Sequence, residues 1–256
     1  MTDDPVRYDV ADGVATVTLD SPANRNALSR ALVAGLTDAL DAAAADPGVR
    51  VVVLTHTGTT FCAGADLREA LADGVEATSL TLVAVLRALV AHRCPVVAVV
   101  DGHVRAGGTG MVAACDVVVA GRRSTFAFTE SRIGLAPAVI SAVTTPRLTS
   151  RAASRYYLTG ETFGADEALA AGLVTVVDDD PAAAAGTILG ELRLCSPQGL
   201  AESKKIAAAP LLAALDGDGP RLAALSAGLF ASAEAREGMA AFAERRAPSW
   251  ALPPAP

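Results

Sequence analysis

The chain has 256 residues, 52% of them hydrophobic, and a formal charge of −7. That length and apolar content suffice for one domain with a full core, and the acidic balance without a basic stripe argues against nucleic-acid binding. Met1–Asp9 is acidic and has no apolar run, so no signal peptide is expected, and no stretch of membrane-spanning length escapes a charge or a breaker. Cys62, Cys94, Cys115 and Cys195 form no CxxC pair and no metal-ligand spacing with the three histidines, so they are expected as reduced thiols in a cytosolic core.

In chain order, Val14–Leu19 alternates and is β-branched, which predicts a strand closed by Asp20-Ser21-Pro22. Ser29–Ala45 carries Leu32, Val33, Leu36, Ala39 and Leu40 at helical spacing, and Pro47-Gly48 stops it. Val49–Thr55 and Pro95–Val100 are apolar runs typical of strands buried on both faces. A glycine-rich segment, 58–66, follows the first run. Leu80–Val90, Gly107–Ala114, Ser150–Leu158, Gly164–Ala171, Ala182–Cys195, Pro197–Ala208 and Ala233–Arg245 read as helices, and Val117–Val119 as a short strand. Asp216-Gly217-Asp218-Gly219-Pro220 reads as a break between two of the late helices. Strands alternating with helices predict a mixed α/β core of ββα or βαβ units, and the pattern after Pro146 is almost wholly helical. The tail Ala251–Pro256 is expected to fray.

Three segments could carry chemistry. Phe61-Cys62-Ala63-Gly64-Ala65-Asp66-Leu67 follows a buried strand and uses only small side chains before Asp66, which lets a ligand approach backbone N–H groups. An ordinary turn with Asp66 as a helix cap is the alternative. Val100–Gly110 runs from a strand into glycines that open a helix, where free N–H groups and the helix dipole stabilise an anion. The phosphate-loop and dinucleotide spacings are absent, and glycine-mediated helix packing is the alternative. Ser124–Glu130 ends a β-like stretch in a carboxylate among apolar residues. Such a carboxyl can exchange protons near neutrality, unless Arg132 simply pairs with it.

Taken in order, these segments resemble the enoyl-CoA hydratase/isomerase (crotonase) superfamily over nearly the whole chain. Asn24-Arg25-Asn26-Ala27-Leu28 resembles its amino-terminal motif, and Phe61–Leu67 its first oxyanion loop. Gly107-Gly108 followed by Ala114-Cys115-Asp116 resembles its second. Arg155–Gly160, Glu167–Val174 and Gly238–Arg246 resemble the later segments. The resemblance implies a ClpP-like ββα superhelix, with a core over 1–195 and a helical trimerisation region over 196–256. It implies that the N–H groups of Ala65 and Gly107 hold a thioester carbonyl, with Glu130 as the acid/base. Arg25, Ala63, Ala65, Asp66, Leu67, Phe242 and Arg245 would meet coenzyme A, although both arginines could equally be solvated charges. It further implies an acyl-CoA substrate, no metal or redox cofactor, a homotrimer or homohexamer, and a cytoplasmic enzyme of fatty-acid type chemistry.

One position departs from the two-glutamate pattern of the best-known hydratases. Gly110 stands where the second carboxylate would be. A glutamate introduced there is expected to recreate the pair. Arg132–Ser141 looks most like the 3-methylglutaconyl-CoA type, and Arg105 could meet an acidic acyl tail or be a surface charge paired elsewhere. The implied activity is hydration of an α,β-unsaturated acyl-CoA. Enoyl-CoA isomerisation and non-catalytic acyl-CoA binding are its rivals.

Overall fold

The computed structural model describes residues 4–252, so the first residues of the acidic amino terminus and the last four of the Ala251–Pro256 tail lie outside it. The chain opens with an antiparallel hairpin, β1 (Val6–Ala11) and β2 (Val14–Leu19). Asp12 and Gly13 form its tip at φ 50° and 77°, the left-handed conformations that a two-residue hairpin turn requires. Helix α1 (Arg30–Ala45) follows, capped by Ser29 Oγ, which accepts from Leu32 N at 3.3 Å, and buries Leu32, Leu36, Ala39, Leu40 and Ala43.

Next comes a repeated unit in which a long strand, a short strand and a helix succeed one another. The first comprises β3 (Val51–His56), β4 (Thr60–Cys62), α2 (Leu67–Asp73) and α3 (Val75–Ala91). The second is β5 (Val96–Val100), β6 (His103–Arg105) and α4 (Gly107–Ala114). The third is β7 (Val117–Gly121), β8 (Thr125–Ala127), a short 3₁₀ turn over Glu130–Ile133, and α5 (Ala138–Thr144). The remainder is α6 (Ser150–Thr159), β9 (Phe163–Gly164), α7 (Ala165–Ala171), β10 (Val176–Asp178), α8 (Pro181–Leu194), α9 (Pro197–Phe230) and α10 (Ala233–Glu244).

The long strands form a sheet ordered β1-β2-β3-β5-β7-β10, parallel from β2 onward, and the short ones a second sheet ordered β4-β6-β8-β9. The predicted α/β core is therefore built from ββα units. Valines dominate β3 and β5 because both faces of those strands are covered. Phe61, Phe126 and Phe128 are fully buried, and Tyr156 stacks on Phe163 with ring centroids 3.8 Å apart.

Three expectations change. The short strands β4, β6 and β9 are absent from the sequence expectations, because runs of two or three residues have no period to read, whereas β8 falls within the β-like stretch expected at Ser124–Glu130. Cys62, Cys94 and Cys115 are buried free thiols, but Cys195 is exposed, because it caps the end of α8 rather than entering the core. The break expected at Asp216–Pro220 does not exist, since α9 runs unbroken through it. Tertiary contacts override the local propensity there. Asp216 accepts from Arg87 Nε of α3 at 2.7 Å, and a Cβ on Gly219 would lie 2.8 Å from Val83 Cγ1. The glycine is the residue that lets α9 lie against α3.

Helix α9 packs along α3 and α5 and is pinned by a buried ion pair. Lys204 Nζ donates to Asp116 Oδ2 at 2.7 Å, Leu89 O at 2.9 Å and Cys94 O at 3.1 Å, and Asp116 Oδ2 also accepts from Val96 N. Asp116, part of the second sequence motif, thus ties the helical region to the sheet.

Candidate active site

The amino-terminal motif is a brace. Arg25 and Asn26 are both left-handed, at φ 59° and 51°. Asn26 is fully buried, donates to Thr57 O at 3.1 Å and Thr60 O at 2.8 Å, and accepts from Ser21 N at 2.7 Å. Arg25 O accepts from Ala63 N at 3.1 Å, and Leu28 N donates to Gly64 O at 2.8 Å. These bonds hold the Ala63–Ala65 loop from its outer side. Gly64 has φ +94°, a conformation that strongly favours glycine. Asp66 caps α2, its Oδ1 accepting from Arg68 N and Glu69 N at 3.0 and 3.2 Å.

The second loop lies directly against the first. A Cβ built on Gly64 would fall 3.0 Å from Ala106 Cβ and 3.3 Å from Gly107 N, and one on Gly108 would fall 2.7 Å from Cys62 O. Glycine at 64 and 108 therefore permits the contact. Ala106 turns the chain into α4 at φ 46°, ψ −120°. An L-residue held there costs on the order of 1–3 kcal/mol. The turn is held by Ala106 N donating to Ala127 O at 3.1 Å, and by Ala106 O accepting from Thr109 N at 2.8 Å and Thr109 Oγ1 at 2.6 Å. Among the described residues, neither Ala65 N–H nor Gly107 N–H has a hydrogen-bond acceptor. Gly107 N–H also sits at the positive end of the α4 dipole.

Glu130 starts the 3₁₀ turn after β8. Its Oε2 is buried and, among the described residues, has no hydrogen-bond partner, and Glu130 lines the cavity. Burial pushes its carboxyl up to about 7, opposed only by its own backbone N–H. Arg132 does not pair with it, since Arg132 Nε donates to Thr159 O at 2.9 Å. A buried carboxyl whose pKa is raised toward neutrality can exchange protons in that range.

A cavity of about 660 Å³ brings these groups together. Ala63, Ala65, Asp66, Leu67, Gly107, Glu130 and Phe242 all line it. Arg25 and Arg245 are not among its lining residues. Arg25 contributes its backbone to the brace, and Arg245 is the left-handed cap of α10. Arg105 does not face the cavity either. Its guanidinium is half-buried and donates to Val104 O, Thr125 O and Thr125 Oγ1 at 2.7–2.9 Å. Arg132 and Arg30 are the cations on the wall, Arg30 lying 3.8 Å from Glu69.

The expectation for position 110 is corrected. A Cβ there would lie 2.5 Å from Ile140 Cγ2 and 2.9 Å from Ile140 Cβ, so α5 already fills the space a second carboxylate would need. Ala106 and Ile140 escaped sequence reasoning. An alanine carries no mark of a positive φ, and Ile140 reads as any core residue. Among the described residues, no helix is long and apolar enough to cross a membrane, and no three His, Cys, Asp or Glu side chains are placed to hold a metal ion.

The chain is similar to known proteins over nearly its whole length. A family model described as Enoyl-CoA hydratase/isomerase matches residues 9–252. The crystal structure of an enoyl-CoA hydratase from Mycobacterium avium is 52% identical, with a TM-score of 0.93 over 98% of this chain and 100% of that one. The 2,3-dehydroadipyl-CoA hydratase of Escherichia coli (strain K12) is 32% identical over 241 residues, 93% of this chain and 94% of its own. The (E)-benzylidenesuccinyl-CoA hydratase of Thauera aromatica is 31% identical over 254 residues, 96% of this chain and 98% of its own. With two adjacent loops presenting free N–H groups and one buried carboxyl in a shared cavity, this chain belongs to the enoyl-CoA hydratase/isomerase, or crotonase, family.

Proposed function

We propose that the protein is a hydratase-type lyase that adds water across the α,β double bond of an enoyl-CoA. The observation that carries this reading is Glu130, a buried carboxyl raised to about 7 whose cavity also holds Ala65 and Gly107. In this reading the thioester oxygen accepts from Ala65 N–H and Gly107 N–H. Each such donor stabilises the enolate by about 3–4 kcal/mol, and the α4 dipole acts in the same direction. The Glu130 carboxylate takes a proton from water as the oxygen bonds to the β carbon. The resulting acid then delivers that proton to the α carbon, restoring the carboxylate. Neither a metal nor a redox cofactor has a part in this sequence.

Coenzyme A would lie along Ala63, Ala65, Asp66, Leu67 and Phe242, with Arg25 and Arg245 supplying charge toward its phosphates. The names of the dehydroadipyl- and benzylidenesuccinyl-CoA relatives, and the likeness of Arg132–Ser141 to the 3-methylglutaconyl-CoA type, favour an acyl group with a second carboxylate. Arg105 cannot receive it without breaking its bonds to Thr125, whereas Arg132 lines the cavity. Residues 196–256 would carry trimer contacts in a cytoplasmic homotrimer or homohexamer, which light scattering at micromolar concentration would test.

A buried carboxyl of raised pKa in a largely apolar cavity suits enoyl-CoA isomerisation as well. A panel of straight, branched and dicarboxylic enoyl-CoAs followed by mass spectrometry separates the readings. Gain of one water supports hydration, and a shifted double bond at unchanged mass supports isomerisation. Tight binding with no product would favour a binding protein.

A further inference from the structure

The first turn of α4 begins at Gly107 and brings position 110 round about one helical turn later. Every residue of α4 is buried, so whatever stands at 110 must share its space with the neighbouring element. That element is α5. Ile140 Cγ2 and Cβ lie 2.5 and 2.9 Å from where a Cβ on Gly110 would be, and Leu86 Cδ2 lies at 3.5 Å. Ile140 is 2% exposed, yet it lines the same cavity as Glu130 and Gly107, in a wall continued by Val139, Val85 and Leu82. Its backbone is anchored, since Ile140 O accepts from Thr144 Oγ1 at 2.8 Å, and that hydroxyl in turn contacts Tyr157 OH. A buried β-branched side chain packed against the bare backbone of Gly110 has little rotamer freedom.

We propose that Gly110 and Ile140 form an interlocked pair that sets acyl-chain selectivity: the missing side chain on α4 admits Ile140, and Ile140 defines the apolar wall against which the acyl chain packs. This rests on the acyl-CoA reading above and names the residue that shapes that site. Shortening Ile140 enlarges the apolar space and favours a branched acyl group. Adding a Cβ at 110 forces Ile140 toward the cavity and disfavours it. Gly110 does not line the cavity and Ile140 offers it only an apolar side chain, so the effect is expected in selectivity.

The test measures binding by calorimetry with two unreactive saturated thioesters, butanoyl-CoA and 3-methylbutanoyl-CoA. One methyl group in a hydrophobic pocket discriminates by about tenfold or more. Ile140→Ala is expected to shift the affinity ratio toward the branched ligand by about tenfold, and the milder Ile140→Val by about threefold. Gly110→Ala is expected to shift it the other way, and the double variant Gly110→Ala/Ile140→Val to return toward the wild type. If Ile140→Ala or Gly110→Ala fails to fold, the Ile140→Val ratio alone decides. A wild-type protein that binds both thioesters, with a ratio unchanged in folded Ile140→Val, overturns the interlock and leaves the function standing. A wild-type protein that binds neither overturns the acyl-CoA reading, and the interlock falls with it.

Discussion

Replacing Glu130 with glutamine should stabilise the protein at alkaline pH while disabling it. The carboxyl is raised from its ordinary 4.5 to about 7 because burial penalises its charged form. The native state therefore holds a proton that the unfolded chain has already released between those values. Wild-type stability is greatest below about pH 4.5 with respect to this group, and falls as pH rises through about 7. At about 1.4 kcal/mol per unit, the loss approaches roughly 3 kcal/mol. Glutamine has nearly the same shape and cannot ionise, so it feels none of this. Urea denaturation of both proteins should give similar stabilities near about pH 4.5, with the variant ahead by roughly 3 kcal/mol near about pH 8. The same substitution should lower turnover by about 10²–10⁴-fold. It should also erase the limb of kcat/KM that rises with pH through about 7 in the wild type, where the carboxylate form takes the water proton. A stability difference that does not change with pH would refute the claim that Glu130 is charged at a cost in the native site.

Three other substitutions test the frame around it. Gly107→Pro removes one candidate donor and should cut turnover by at least about a hundredfold in a folded protein, as judged by circular dichroism alongside the rate. Gly110→Glu should destabilise the protein and yield no gain in hydration of a short enoyl-CoA, because Ile140 occupies the space; a folded variant with faster hydration would contradict the packing described. Lys204→Met leaves the partly buried Asp116 carboxylate without its ammonium, and should cost about 3–5 kcal/mol in urea denaturation without changing the pH dependence of turnover.

What sequence alone determined was the regular part of the molecule and the order of its chemical segments. Short β-branched apolar runs at 51–54 and 96–100 pointed to covered strands, and Ser29 followed by leucines at helical spacing pointed to the start of a helix. The small residues at 63–65 and 107–108 and the carboxylate of Glu130 each allowed an ordinary structural reading, and only their order, through the family resemblance, made them candidates for one site. Side-chain size and periodicity are local properties, so these features survived any choice of tertiary partner. Long-range contacts decided the rest. The Asp216–Pro220 segment carries every local mark of a break, yet α3 supplies Arg87 and Val83 to hold it helical. Ala106 takes its left-handed turn because Ala127 and Thr109 hold it there. Position 110 lost its access to a second carboxylate when α5 placed Ile140 over it. Glu130 became a neutral-range acid only once folding buried it among apolar neighbours and left Oε2 unpaired. A residue's burial and its partners depend on what the distant chain brings to it, and no window of sequence contains that information.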